Sequence, residues 1–256
     1  MNAHNRRTSG AESPRKVLTM LLAFSERRPH LSAEEMAREI GVPLSTAYRY
    51  ISLLREVGLL QEGPQSTYSV TQRVIPLARA AQAANSLDAI CQPVLERLSS
   101  ATGEASLIVK RVGHTAMCVA LAEANHPIRL SFEVGRPMPL HGGAAAKILL
   151  AGLTEKESAR YLNAAAASDA PLAERRAALE RELEEIRRTG WAQSSGEVDR
   201  GIWAAAAAIR EGKRVVAALT IACLAHSVGN ARQQEILRLV REAAGGINAH
   251  LAKVEL

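Results

Sequence analysis

The stretch that most restricts this chain is residues 32–58, SAEEMAREIGVPLSTAYRYISLLREVG. It reads as two short amphipathic helices joined at Gly41-Val42-Pro43. Ser32 and Glu35 form an S-x-x-E capping box, so a helix starts there. Gly41 permits a sharp turn, and Pro43 presets the first turn of the next helix. On that second helix Ala47, Ile51 and Leu54 recur at i, i+4 and i+7 and must face inward. Ser45, Thr46, Tyr48, Arg49, Ser52 and Arg55 are left outside. Hydroxyls, a phenol and two guanidinium groups with no run of acids suit a helix laid in the major groove of DNA. An ordinary helical hairpin with a solvated face has the same local pattern, and this stretch alone leaves both readings open.

The flanks favour helix-turn-helix. Pro14 opens a helix with Val17, Leu18, Leu21, Leu22 and Phe24 as its apolar face, ended by Arg27-Arg28-Pro29. After Gly58, Leu59-Leu60-Gln61 reads as a strand, Glu62 to Ser66 as a Gly-Pro turn, and Thr67 to Val70 as the returning strand. Helix, helix-turn-helix, then β-hairpin is the order of a winged helix, with Gln65, Ser66 and Tyr68 as wing contacts to the DNA backbone. Ser32 and Leu44 at the two helix starts join Ser45, Thr46, Tyr48, Arg49 and Ser52 as candidate DNA contacts. Charge agrees: residues 1–85 hold 11 Lys and Arg against 7 Glu, whereas the remainder holds 21 against 19 acids. A basic first third suits a phosphate-bearing partner.

The expected organisation is a disordered tail at 1–13, a winged helix at 14–71, a linker helix at 72–86 and a second domain at 87–256. That second domain opens with a helix presenting Ile90, Val94, Leu95 and Leu98 inward. Periodicity then predicts strands at 105–111, 115–121 and 128–134, and a glycine-rich lead-in to a helix within 140–153. Further helices are expected from Thr154 and over 171–189, with a short strand after Gly190. Residues 202–209 and 214–224 form a hairpin, and 230–252 a closing helix. The alanine run 204–208 favours helix by propensity; the tight turn and the β-like partner argue for a strand instead. The whole is α+β, with helices on one face of a mostly antiparallel sheet.

Three motifs of this sequence resemble the isocitrate lyase regulator (IclR) family of bacterial transcription factors. They are the helix pair at 32–50, GRPMPLHGGAAAK at 135–147, and GWAQSSGEVDRG at 190–201 followed by an alanine-rich strand and VVAALTI. The resemblance implies a GAF-like effector domain, a homodimer or dimer of dimers, binding to palindromic operators in double-stranded DNA, and control of a catabolic operon, often as a repressor. It maps the effector pocket onto Leu130, Met138, Ala144, Ala145, Ser194, Ile202, Ala204, Thr220 and Ala222. Ala144 stands where relatives that bind small carboxylates have glycine, Ser194 where they have an acid, and Thr220-Ile221-Ala222 lacks one hydroxyl of their pattern. A small organic acid or aromatic effector is expected, and the Ala, Leu and Ile lining favours the more apolar kind.

Other chemistries find little machinery. His141-Gly142-Gly143 is similar to an esterase oxyanion hole, but no G-x-S-x-G elbow supplies a nucleophile. Residues 142–147 lack the spacing of a phosphate loop. His114, His126 and His141 never occur two to a helical face, and Cys91, Cys118 and Cys223 form no C-x-x-C pair, so no metal site is expected and the thiols read as buried and reduced. Glu197 reads as a hydrogen-bond acceptor fixing its loop, and Arg129 or Arg136 as a partner for an acidic effector. A hydrolase with an appended helical domain and an RNA-binding regulator remain as alternatives; an aromatic content of 3% gives the second no stacking platform. No enzyme activity, cofactor or membrane span is expected. Met1 to Arg15 has no apolar leader core, which suggests a cytoplasmic protein.

Overall fold

The computed structural model describes residues 10–25, 27–83, 86–123 and 132–254. Contacts divide the chain into two compact units, residues 1–85 and 86–256. In the first unit, helices α1 (Glu12–Leu21), α2 (Ala33–Ile40) and α3 (Leu44–Glu56) stand with a three-stranded antiparallel sheet. Its strands are β1 (Leu31–Ser32), β2 (Leu60–Glu62) and β3 (Thr67–Val70), in the order β1-β3-β2. Ser32 Oγ accepts from Glu35 N and Glu35 Oε2 accepts from Ser32 N, which completes the expected capping box. Ala47, Ile51 and Leu54 are buried with Met20, Met36, Leu31 and Leu60.

Two expectations about this core fail. On α1 the buried pair is Val17 and Met20, while Leu18 and Leu22 are 60% and 82% exposed. The helix stops at Leu21, so Leu22 lies beyond the last turn. Tyr68 is buried, not a wing contact: it pairs with Leu31 across β1 and its ring packs into the core. The tail expected at 1–13 lies outside the described residues up to residue 9, and α1 already begins at Glu12. The unit ends with α4 (Val74–Ala83).

The second unit is a six-stranded antiparallel sheet in the order β6-β5-β4-β9-β8-β7. Its strands are β4 (Ala105–Val112), β5 (Thr115–Ala122), β6 (Pro137–Pro139), β7 (Trp191–Ser195), β8 (Ile202–Glu211) and β9 (Arg214–Leu224). The alanine run is a strand: Ala204 to Ala207 pair with β7 on one side, and Ala204 to Ala208 with β9 on the other. Tertiary pairing overrides helix propensity there. The strand expected at 128–134 falls outside the described residues up to 131, and residues 132–134 pair in no strand. The edge is instead the proline-bearing β6, paired with Thr115–Met117, a place where a missing N–H is tolerated.

Helices cover both faces of this sheet, not one. Leu107, Val109, Ala206, Ala208 and Ala218 pack under α6 (Ala144–Ala151), α7 (Glu155–Ala166) and α8 (Ala170–Thr189). Ile108, Ala205, Ala207, Leu219 and Ile221 pack under α5 (Ser86–Thr102) and α9 (Asn230–Val254). Near-continuous apolar strands are the mark of two-sided burial, and Leu107-Ile108-Val109 and the alanine run have it. On α5 the inward stripe is Leu87, Cys91, Leu95 and Leu98, with Ile90 and Val94 only partly buried. All eight residues of α6 are buried, Lys147 included. Its C-cap, Gly152, meets β9 so closely that an added Cβ would lie 2.6 Å from Val215 Cβ. Gly152→Ala should therefore destabilise the unit by about 1–3 kcal/mol, as overpacking does. Adding Val215→Ala should recover part of the loss; urea unfolding of the two variants measures both.

Candidate effector cavity and nucleic-acid interface

On α3 the 100° step per residue puts Ser45, Tyr48, Arg49 and Ser52 on the side opposite Ala47, Ile51 and Leu54. Those four are exposed, Thr46 is half-buried, and Leu44, the first residue of the helix, is 39% exposed. Ser32 stands apart from this face, at the N-cap of α2. Arg55, on the outer face, is spoken for: its Nη1 lies 3.1 Å from Glu62 Oε2 and fastens the end of α3 to β2. Gln65 and Ser66 form the exposed tip of the wing, in a short 3-10 turn at φ 56° and 57°. Positive φ is rare for residues with a Cβ and marks a tip held in shape by its surroundings. Six of the nine candidate DNA contacts thus lie on α3, two on the wing tip and one at a cap.

In the second unit, eight of the nine predicted pocket residues line one cavity: Met138, Ala144, Ala145, Ser194, Ile202, Ala204, Thr220 and Ala222. Leu130 lies outside the described residues. The space at this cavity, open mouth included, is about 690 Å³. Sequence reasoning missed Leu107, Val109, Cys118 and Phe132, whose period-two spacing marked them as core but not as ligand wall. It also missed Gly142, Gly143, Ala146, Glu133, Val198 and Asp199.

The polar groups at the cavity largely serve one another. Ser194 Oγ accepts from Ala144 N at 3.0 Å, and Thr220 Oγ1 donates to Ala205 O at 2.8 Å. Arg136, considered as a partner for an acidic effector, is bound in a two-point ion pair to Asp199, at 3.0 and 2.9 Å. That hydrogen-bonded carboxylate pushes the guanidinium pKa up. Arg129, the other candidate, is outside the described residues. Glu197 is the loop-fixing acceptor expected: its Oε2 takes Gly143 N at 2.9 Å and its Oε1 takes Lys147 Nζ at 2.6 Å. Lys147, 1% exposed, reaches Glu182 Oε1 with the same ammonium, also at 2.6 Å. Gly143 has φ +86°, and a Cβ there would sit 3.0 Å from Val198, so glycine alone fits this approach. Helix geometry leaves the Ala145 and Ala146 N–H groups of α6 without intrahelical acceptors, at the cavity wall. Burial pushes the Cys118 thiol up to about 11, so it faces the cavity as a neutral, apolar group. All three cysteines are buried free thiols.

His141 lies behind this wall in a structural network. Its Nε2 is 3.1 Å from Asp169 Oδ2 and its Nδ1 2.8 Å from the Tyr161 hydroxyl, which accepts Leu140 N. A carboxylate can only accept, so Nε2 carries the proton and Tyr161 donates to Nδ1. Asp169 also caps α8 through Leu172 N. Among the described residues the partners of this network are Tyr161, Asp169, Leu140 and Leu172.

A winged helix-turn-helix joined in one chain to a two-faced sheet with an enclosed cavity defines a class of proteins built from a nucleic-acid reader and a ligand-holding domain. Two family models match the chain: "IclR helix-turn-helix domain" over residues 13–64 and "Bacterial transcriptional regulator IclR C-terminal" over residues 80–249. The chain belongs to the IclR family. The HTH-type transcriptional regulator KipR of Bacillus subtilis is 28% identical over 142 residues, 56% of this chain and 57% of that protein. This chain therefore matches less than two thirds of the length of that curated relative. A solved IclR-type regulator from Silicibacter sp. TM1040 superposes with TM-score 0.78 at 23% identity, covering 94% of this chain and 96% of that one. An IclR homologue from Microbacterium hydrocarbonoxydans, solved with 4-hydroxybenzoate, does so with TM-score 0.75 at 21% identity over 93% and 98%.

Burial holds the His141 pKa below its ordinary 6.5, against the opposing pull of Asp169. The folded state then resists protonation that the unfolded state accepts. Stability from this group is intact above about pH 6.5 and declines as pH falls through the folded pKa, by at most about 1.4 kcal/mol per pH unit. Thermal unfolding between pH 7.5 and 5 should show a shallower acid decline in His141→Asn than in wild type.

Proposed function

We propose that this chain is a ligand-responsive DNA-binding regulator of transcription, of a catabolic operon, acting in the cytoplasm as a homodimer or dimer of dimers. The observation that carries the reading is the convergence, in one chain, of an outer face on α3 that presents hydroxyls and Arg49 with a cavity lined by predicted pocket residues. Two copies of α3, with Ser45, Thr46, Tyr48, Arg49 and Ser52 outward, enter successive major grooves of a palindromic operator. Ser32, Leu44 and the wing residues Gln65 and Ser66 touch the backbone beside them. Exposed Leu18, Leu22, Ile75 and Leu77 give the first unit apolar surface suited to pairing between copies. No described helix is long and apolar enough to cross a membrane. We assign the chain no catalytic step.

The effector is a small organic acid, aromatic in preference to a short polar one. Its carboxylate meets the open amides of α6 at Ala145 and Ala146, and its ring lies among Leu107, Phe132, Met138, Ile202 and Ala204. The family resemblance adds Leu130 to the proposed effector contacts. The aromatic acid held by the Microbacterium homologue is of this kind. Occupancy shifts the population of DNA-competent states.

On DNA selected in vitro by the wild-type protein, Arg49→Ala should lose about 1–3 kcal/mol and relax one base preference. Unchanged affinity in a gel-shift titration at fixed salt removes Arg49 from the interface. Calorimetric titration with benzoate-type and short aliphatic acids tests the effector, and uptake of the short acids alone would overturn the aromatic assignment.

A further inference from the structure

A second concave surface of the 86–256 unit shares no lining residue with the effector cavity. It is a polar groove of about 950 Å³, mouth included, between α9, β8 and the Thr189–Gly190 end of α8. Three guanidinium groups meet there: Arg210 from β8, and Arg238 and Arg241 one turn apart on α9. A single acidic residue lines the groove, Glu242, and Arg238 holds it at 2.7 and 2.8 Å. Guanidinium groups stay charged at every relevant pH, so the groove carries a surplus of two positive charges.

The two remaining arginines are placed without being neutralised. The β8–β9 pairing shifts register beside Arg210, with Val216 of β9 as the extra residue, and such a bulge sharpens the local twist. The Arg210 amide donates to Asn248 Oδ1 at 2.8 Å, while Asn248 Nδ2 donates to Ala208 O at 3.2 Å, so Asn248 pins α9 to the bulge. Arg210 Nη2 lies 3.8 Å from where a Gly190 Cβ would stand. The Arg241 guanidinium sits over Trp191, 5.8 Å from the ring centre. Among the described residues neither has an acidic partner. The groove also contains Gly245. Glycine weakens a helix interior, yet an added Cβ there would meet nothing within 4 Å. The chain's own packing gives no reason for its missing side chain; room for a bound group does.

We propose that this groove is a second ligand site, taking a small doubly charged oxyanion of the phosphate or dicarboxylate kind between Arg210 and Arg241. Guanidinium forks match such oxygens in two-point contacts, and a dianion cancels the surplus of two. A concave site with Glu242 at its edge suits a small molecule and disfavours the continuous phosphate run of a nucleic acid.

The test is titration calorimetry and thermal unfolding of the full chain with phosphate and with succinate, each against chloride at equal ionic strength. Saturable binding of either is expected; phosphate alone or succinate alone identifies which oxyanion is read. Arg210→Gln and Arg241→Gln should each weaken it at least tenfold. Gly245→Glu, which places a carboxylate in the groove where nothing obstructs it, should abolish binding while leaving the unfolding midpoint unchanged or higher. If the arginine variants fold poorly, Gly245→Glu decides alone. No saturable response to either anion overturns the proposal, and so does binding that survives in Gly245→Glu or in the double arginine variant.

Discussion

The second domain depends on one buried ammonium group. Lys147 sits on a helix whose other seven residues are Ala, Ile and Leu, all out of solvent, and an ion in such surroundings is costly unless its partners are close and well directed. Glu182 on α8 and Glu197 in the loop after β7 provide them, and the Gln193 carbonyl lies 3.3 Å away. The other oxygen of Glu197 then takes the amide of Gly143. One lysine thereby fixes the start of α6, the β7–β8 loop and α8 against one another. The start of α6 and the β7–β8 loop line the cavity, Glu197 included, so its shape depends on an ammonium that is not itself in the lining.

The network explains the uneven share of the site that could be read from residues alone. Ala204, Thr220 and Ala222 lie on strands, where period two assigns each side chain a face, and Ala144 and Ala145 follow a glycine-rich turn with a recognisable pattern. Asp199, Val198 and Glu133 come from irregular backbone, whose direction no periodicity encodes. Lys147 was visible as the last letter of the 135–147 motif and of a failed phosphate-loop match; a lone lysine in an alanine-rich helix gives no hint that two glutamates 35 and 50 residues later will meet it. Arg136 shows the converse. Its charge was read correctly, but its partner Asp199 lies 63 residues on, so its attention to the ligand was overestimated.

The first domain was the easier case because its signals are local. The capping box, Gly41 at the turn and the i, i+4, i+7 stripe on α3 each lie within a few residues, and all three appear as expected. Errors arose where a local pattern had two outlets. An aromatic on a wing strand can face solvent or the core, and pairing with Leu31 of β1 turned Tyr68 inward. A leucine at the end of α1 fits the stripe but lies past the helix. The one-sided sheet failed likewise: alternation was sought, while the central strands are apolar on both sides.

The alanine strand β8 separates two tasks by parity. Its even positions, such as Ala204, face the cavity and the α6 layer, while Ala205 and Ala207 face the α9 layer. A single strand is therefore a partition with independent sides. Added methyl groups at Ile202 or Ala204 would reshape the cavity without entering the packing beneath α9. The cavity side of the strand and its helix-packed side can thus vary separately while the backbone wall between them stays where it is.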